Sequence, residues 1–200
     1  MKLKVCGMKY SDNISETGSL LPDFLGFIFW EKSSRYFDGE IPELPQTIKK
    51  VGVFVDADAD FVRSRIAKHE LNVVQFHGNE SVQYCADFQN SGVEIIKVFS
   101  IETAQDFAKT EDYQSVCDYF LFDTKGKLPG GNGFAFDWKI LEKYKSRKPF
   151  FLSGGIGPES IEDINKLSVK PFAIDINSRF EISAGLKNVA EIKQFKYDLL

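Results

Sequence analysis

This chain of 200 residues has few histidines and no excess of basic over acidic residues, and each of these features argues against a class of function. There are only two histidines, His69 and His77, and no HExxH pattern, so imidazole-based metal chemistry is not expected. The formal net charge is -4 and the isoelectric point is about 5.3. Proteins that bind phosphate backbones usually carry a basic excess. We therefore expect neither a metal site nor a nucleic-acid partner.

Cysteine and long apolar runs are scarce as well. The three cysteines, Cys6, Cys85 and Cys117, are odd in number and far apart, with no CxxC spacing, so they indicate neither a disulfide framework nor a zinc site. No apolar run approaches the roughly 18 residues that span a bilayer. The apolar segment at the start of the chain is too short for a signal peptide. The sequence predicts a cytoplasmic protein without membrane contact.

Short apolar runs alternate with amphipathic segments along the whole chain. The predicted strands are Lys2–Cys6, Phe24–Phe29, Lys50–Val55, Val73–Phe76, Glu94–Phe99, Tyr119–Asp123, Pro149–Leu152 and Phe172–Ile176. The predicted helices are Ala59–Glu70, Glu102–Lys109, Asp137–Tyr144, Ser160–Leu167 and Asn188–Phe195, with a weak helix between Met8 and Asp23. Ser81 and Asp137 are predicted helix N-caps. An open, doubly wound sheet of this length more often has five or six strands. Eight units favour an α/β fold with a single (β/α)8 barrel domain over residues 1–200.

In such a barrel the carboxyl ends of the strands meet at one face, where the chemistry is found. Cys6 ends the first strand and Asp123 ends the sixth, roughly across the barrel. A thiolate can remove a proton from carbon, and a carboxylic acid opposite it can donate one. Cys6 needs nearby positive charge to ionise near neutral pH, and Lys4 points to the same side of the strand. The alternatives are a buried core thiol and a carboxylate that caps the next segment.

A glycine-rich turn follows the seventh strand. Bare backbone N–H groups at Gly154 and Gly155 can approach an anion, and Ser178 and Arg179 follow the eighth strand. The loops after the last two strands therefore predict a phosphate site, with a plain tight turn as the alternative.

Other strand-end residues are more ambiguous. Arg35 is either a bidentate carboxylate ligand or a solvated surface residue. For His77, a backbone-bonded strand cap is favoured over a general base. The run from Lys125 to Gly133 is either a loop that closes over substrate or a surface excursion.

Taken in chain order, these motifs resemble the phosphoribosylanthranilate isomerase family of tryptophan biosynthesis. The resemblance covers nearly the whole chain. It rests on Lys4-Val5-Cys6-Gly7-Met8, Gly26-Phe27-Ile28-Phe29, Lys32 to Tyr36, Gln75-Phe76-His77-Gly78, Phe122-Asp123-Thr124, Gly130 to Gly133, Ser153-Gly154-Gly155-Ile156, Asp175 to Glu181 and Gly185-Leu186-Lys187.

The resemblance implies a (β/α)8 barrel that catalyses an Amadori rearrangement without a cofactor, as a monomer or homodimer. It assigns Cys6 as general base and Asp123 as general acid for a small phosphosugar–anthranilate substrate. Arg35 is expected to bind the anthranilate carboxylate. The remaining expected substrate-binding residues are Gly154, Gly155, Asp175, Ser178 and Arg179.

The chain departs from the family pattern at three positions. Ser34 replaces the usual proline before the arginine, and Phe76 stands where leucine is common. Arg179 replaces glycine, and it would obstruct a close backbone approach if its φ were positive. It could equally add a charged phosphate contact.

Two other functions fit the same inventory. One is a phosphosugar aldolase or epimerase, which needs a Schiff-base lysine or metal ligands. Lys97, which lies in a predicted strand, is the candidate lysine. The other is a catalytically silent barrel used as a binding module, which the presence of both Cys6 and Asp123 disfavours.

Overall fold

A computed structural model of the chain describes residues 1–124 and 138–199. Eight parallel strands close into a barrel in sequence order, with β1 paired to β8. The strands are β1 (Lys2–Val5), β2 (Phe24–Ile28), β3 (Lys49–Phe54), β4 (Val73–Phe76), β5 (Glu94–Ile101), β6 (Tyr119–Thr124), β7 (Phe150–Ser153) and β8 (Ala173–Ile176). The predicted (β/α)8 class is confirmed, and strand ends differ from the prediction by one or two residues.

Apolar side chains cover both the inner and the outer face of the barrel wall. One cluster, Phe24, Val51, Val73, Ile96, Val98, Leu121, Phe151 and Ala173, lies inside the barrel. A larger cluster packs the outer wall against the surrounding helices. Strands that are buried on both faces read as continuous Val, Ile and Phe runs, which is why they were visible in the sequence.

Helices and 3₁₀ segments surround the barrel. The α-helices are α1 (Ser11–Ser19), α2 (Ala59–His69), α3 (Val82–Ala86), α4 (Ile161–Lys166) and α5 (Val189–Leu199). Two predicted helices, at Glu102–Lys109 and Asp137–Tyr144, are 3₁₀ segments, Ala104–Tyr113 and Trp138–Lys143. Asp137, a predicted helix cap, lies outside the described residues, as does the glycine-rich run from Lys125 to Gly133. Ser81, the other predicted cap, accepts a hydrogen bond from the Tyr84 N–H at 3.1 Å.

The helix α1 is more regular than its sequence suggests. Gly18 weakens a helix by intrinsic propensity, but a Cβ there would lie 2.7 Å from Leu44, so the glycine makes room for tertiary packing. The Asn13 side chain also exchanges two hydrogen bonds with the Lys187 backbone, at 2.7 and 3.0 Å. Tertiary contacts therefore outweigh the weak local preference.

A short antiparallel hairpin follows β8. Its strands are β9 (Glu181–Ser183) and β10 (Leu186–Lys187). The hairpin places Glu181 and Lys187 at the barrel face where the carboxyl ends of the strands meet. Within residues 1–124 and 138–199, no helix is both long enough and apolar enough to cross a bilayer.

Candidate active site

A cavity of about 210 Å³ lies at the carboxyl ends of the strands. Seven of the eight predicted site residues line it: Cys6, Asp123, Gly154, Gly155, Asp175, Ser178 and Arg179. The same cavity is lined by Gln75, His77 and Asn177, to which the sequence had given no binding role. The chain thus brings a thiol, a carboxylate and a glycine turn from distant segments into one small pocket.

Cys6 follows β1 and is buried at the floor of the cavity. Its backbone N–H donates to Ile176 at 2.9 Å, which fixes the residue against β8. Gly26 on β2 leaves space for the thiol, since a Cβ there would lie 2.8 Å from Sγ. Burial raises the pKa of the Cys6 thiol above its ordinary value, while the ammonium groups of Lys4 and Lys187 oppose that rise.

Asp123 lies on β6 with its carboxylate partly exposed to the cavity. The Nε2 atom of His77 lies 3.7 Å from Asp123 Oδ2. The sequence favoured a backbone-bonded strand cap for the His77 side chain. The structure places the imidazole beside the Asp123 carboxylate, and the backbone bond stays a prediction. The backbone N–H of His77 does extend the sheet, donating to Phe54 at 2.8 Å.

The glycine turn after β7 has a backbone conformation that favours glycine. Gly154 and Gly155 have φ values of 101° and 66°, a region that residues with side chains rarely adopt. Among the described residues, no atom lies within 4 Å of a Cβ added to Gly155. After the neighbouring strand, Ser178 begins a 3₁₀ turn that follows β8.

Arg179 does not create the obstruction considered above. Among the described residues other than glycine, positive φ values occur only at Leu21, Asp56 and Glu70. The Arg179 guanidinium donates to the Glu159 carboxylate at 2.5 Å, and both side chains are exposed. This ion pair connects the loops that follow β7 and β8.

Arg35, the eighth predicted site residue, is not part of the cavity lining, and its guanidinium is held by Glu181. Its Nε donates to both carboxylate oxygens, at 2.9 and 3.0 Å, and its Nη2 donates to Oε2 at 2.6 Å. Glu181 is 4% exposed and also accepts from Lys187 Nζ at 2.6 Å and the Gly185 N–H at 3.1 Å. Arg35 is therefore a partly buried, oriented residue and not a solvated one.

Glu181 forms buried ion pairs with Arg35 and Lys187, and the stability of the fold is therefore expected to depend on pH. Burial alone would raise the pKa of Glu181, but hydrogen bonds from Arg35 and Lys187 lower it below its ordinary value. A carboxylate with a lowered pKa stabilises the fold above its unfolded pKa of about 4.3, and this contribution is lost as pH falls through the lowered value.

We expect Glu181→Gln to reduce the free energy of unfolding at pH 7 by about 3 kcal/mol, because it breaks a buried pair. The difference from wild type should shrink as pH falls below about 4.3, the unfolded pKa, and should vanish only below the lowered pKa of the native carboxylate. Urea unfolding at pH 7 and pH values near 3 measures both quantities. Glu162→Gln is the control, since its pair with Lys166 is exposed and spans one helix turn. Equal effects of the two substitutions at pH 7 would contradict this account.

Gln75 is a site residue that the sequence did not reveal. Its side chain is 2% exposed and lines the cavity, and its Oε1 has no hydrogen-bond partner among the residues the structure describes. An unpaired buried carbonyl is costly, so this oxygen is an acceptor available to a ligand donor. In the sequence, Gln75 is distinguished only as a polar residue within an apolar run.

No group of three or more His, Cys, Asp or Glu side chains within residues 1–124 and 138–199 is arranged to hold a metal ion. Cys85 and Cys117 are buried and are not part of the cavity lining.

Comparison with known proteins identifies what this arrangement resembles. A family model described as N-(5'phosphoribosyl)anthranilate (PRA) isomerase matches residues 3–197. A curated N-(5'-phosphoribosyl)anthranilate isomerase from Parabacteroides distasonis is 44% identical, over 100% of this chain and 94% of the relative.

Two solved structures resemble the fold along its full length. The phosphoribosyl anthranilate isomerase from Thermotoga maritima superposes with a TM-score of 0.85 and 29% identity, covering 100% of this chain and 98% of the other. A second isomerase structure, in complex with reduced 1-(o-carboxyphenylamino)-1-deoxyribulose 5-phosphate, gives a TM-score of 0.83 and 27% identity, with coverage of 100% and 98%.

Proposed function

This chain belongs to the N-(5'-phosphoribosyl)anthranilate isomerase family and is an aldose–ketose isomerase, and on that premise we propose that Asp123 and Cys6 are its proton-transfer groups. The reaction is the Amadori rearrangement of N-(5'-phosphoribosyl)anthranilate in tryptophan biosynthesis. The observation that carries the proposal is that Cys6, Asp123 and the Gly154–Gly155 turn line one cavity, although they come from β1, β6 and the loop after β7.

Asp123 acts first, as the general acid. Its protonated carboxyl donates a proton to the furanose ring oxygen, the C1′–O bond breaks, and the nitrogen lone pair forms the C1′=N bond of a protonated Schiff base. His77, 3.7 Å from the carboxylate, is the neighbouring group that can hold the carboxyl in orientation. A positioned acid of this kind contributes a factor of about 10² to 10⁴ in rate.

Cys6 acts second, as the general base. Its thiolate removes the proton from C2′, and the C–H electron pair forms a C1′=C2′ bond while the C1′=N π electrons return to nitrogen. The resulting enolamine tautomerises to the ketone when C1′ gains a proton and the C2′ hydroxyl loses one. The thiolate becomes a neutral thiol, so Cys6 must lose a proton before the next turnover.

The substrate carboxylate and phosphate occupy opposite sides of the cavity in this proposal. Arg35 donates to Glu181 through Nε and Nη2, which leaves Nη1 for the anthranilate carboxylate. The phosphate lies against the Gly154–Gly155 backbone, with Ser178 and Arg179 opposite. Asp175, whose side chain lines the cavity, faces the sugar.

The glycine turn provides a test of the phosphate site. We expect Gly155→Ala to raise KM for the phosphorylated substrate about tenfold, because a Cβ occupies the open space beside the backbone and αL strain costs about 1 kcal/mol or more. Steady-state kinetics measures KM and kcat.

Gly92→Ala is the matched control for Gly155→Ala. Gly92 has a φ of 75°, also has nothing within 4 Å of an added Cβ, and lies between α3 and β5. The Gly92→Ala variant should lose about as much stability as Gly155→Ala, without a change in KM. A KM that rises equally in both variants would mean that strain, and not phosphate contact, causes the effect.

The alternative of an aldolase that uses a Schiff-base lysine finds little support at Lys97. Its side chain is 4% exposed, and its ammonium donates to Glu80 at 3.1 Å and to the Gly78 carbonyl at 2.8 Å. A lysine that attacks a carbonyl must be neutral and accessible. Lys97 instead fixes the loop that follows β4.

The proposed function is tested by incubating the wild-type chain with N-(5'-phosphoribosyl)anthranilate and following formation of the carboxyphenylamino-deoxyribulose phosphate product. We expect turnover at a kcat of about 1 to 10³ s⁻¹, the ordinary range for enzymes. Absence of turnover would overturn the proposal and leave the silent binding module as the explanation. Turnover that survives both Cys6→Ser and Asp123→Asn at full rate would overturn the assigned roles.

A further inference from the structure

A buried ion pair lies directly beside Cys6 inside the barrel. Lys4 is fully buried, and its Nζ lies 2.8 Å from Asp175 Oδ1. Lys4 and Asp175 are register partners on β1 and β8, so the pair closes the seam of the barrel. Lys4 precedes Cys6 by two residues, and strand geometry directs both side chains to the same face.

Lys4 stays charged in this setting. Burial alone would lower the pKa of Lys4, but the charges of Asp175 and Cys6 raise it above its ordinary value. A buried ion pair is weak support for stability, since apolar residues of similar volume are often as stable or more so. The pair therefore calls for a role besides holding the fold together.

The charged groups around the Cys6 thiol indicate a role for this pair in the ionisation of the thiol. Four charged groups face Cys6 from separate elements: Lys4 from β1, Asp175 from β8, Lys187 from β10 and Arg35 from the loop after β2. Of these groups, Lys4 opposes the effect of burial on the pKa of the thiol most strongly. Glu181 pairs with both Lys187 and Arg35, at 2.6 Å each, which offsets their charge.

We infer that Lys4 is a positioning residue that stabilises the thiolate of Cys6, and that Asp175 holds the Lys4 ammonium in place. The inference rests on the proposed role of Cys6 as general base. It gives Asp175 a task besides contacting the sugar. It also gives the Cys6 thiol, whose pKa is raised by burial, a neighbouring positive charge that favours the thiolate needed for proton abstraction from C2′.

The test is a titration of the Cys6 thiolate by its ultraviolet absorbance, in the full chain with Cys85→Ala and Cys117→Ala. Lys4→Met should raise the midpoint of the titration by about 1 to 3 pH units, the usual effect of losing an adjacent opposite charge. The double variant Lys4→Met, Asp175→Asn avoids leaving a buried carboxylate unpaired. Its midpoint should lie between those of the parent and Lys4→Met, and it serves if the single variant fails to fold.

Lys97→Met is the matched control. It also removes a buried barrel lysine from an ion pair, with Glu80 on the β4 side, and should leave the Cys6 midpoint unchanged. A second readout is the pH profile: turnover by Lys4→Met should recover as the pH rises through the shifted midpoint. A purely structural role for Lys4 predicts loss of turnover at every pH.

An unchanged midpoint in Lys4→Met, or in the double variant if only that one folds, would overturn the inference. So would an equal shift in Lys97→Met. The proposed function fails separately, if Cys6→Ala retains turnover, because the thiolate titration does not depend on catalysis.

Discussion

Replacing Cys6 by alanine is expected to lower kcat for N-(5'-phosphoribosyl)anthranilate by a factor of about 10² to 10⁴, the usual contribution of a positioned general base. The substitution removes the only group proposed to take the C2′ proton. Binding should change little, because neither Arg35 nor the Gly154–Gly155 turn depends on the thiol for its backbone contacts. The measurement is steady-state kinetics together with the affinity for a reduced product analogue.

Cys85→Ala is the matched control for Cys6→Ala. Cys85 is an equally buried cysteine, on α3 outside the cavity lining, and its removal should leave kcat within about twofold of wild type. A similar loss of kcat in both variants would attribute the effect to packing. A Cys6→Ala enzyme with wild-type kcat would eliminate the thiol as base.

Asp123→Asn is expected to lower kcat by a factor of about 10² to 10⁴ as well, because the amide has nearly the same shape but cannot donate the proton that opens the ring. The loss should appear in kcat and in kcat/KM together, since the proton transfer occurs only in the transition state. KM should change less than kcat.

Asp118→Asn is the control for Asp123→Asn. Asp118 precedes the same strand at its opposite end, and its carboxylate accepts a hydrogen bond from the Ile95 N–H at 2.7 Å. We expect it to cost stability and leave kcat nearly unchanged. If Asp123→Asn keeps its rate while Asp118→Asn loses it, the acid has been assigned to the wrong carboxylate.

The barrel and the membership of the cavity were accessible from the sequence for a simple reason. Parallel strands covered on both faces are short, continuous apolar runs, and their carboxyl ends must meet at one face. Cys6, Asp123 and Gly154 could therefore be grouped without knowing any distance. Strand positions alone indicated that Lys4 and Cys6 share a side, and the structure adds the ion pair of Lys4 with Asp175.

The pairings within the site were not accessible in the same way. Arg35 and Glu181 are 146 residues apart, and no local pattern relates them. The orientation of His77 toward Asp123 likewise depends on where two strands of the closed barrel end. The helix α1 was underestimated because its stability comes from Leu44 and Lys187, which are distant in sequence. Long-range contacts, and not local propensity, decided each of these features.

The central claim is that this chain isomerises N-(5'-phosphoribosyl)anthranilate with Cys6 as its base and Asp123 as its acid. The most direct test measures kcat on this substrate for wild type, Cys6→Ala and Asp123→Asn, alongside the affinity of each for the reduced product analogue. The account predicts turnover by wild type, a loss of about 10² to 10⁴ in each variant, and analogue affinities within a few-fold of one another. Failure of the wild type to form product, or undiminished kcat in either variant, would contradict it.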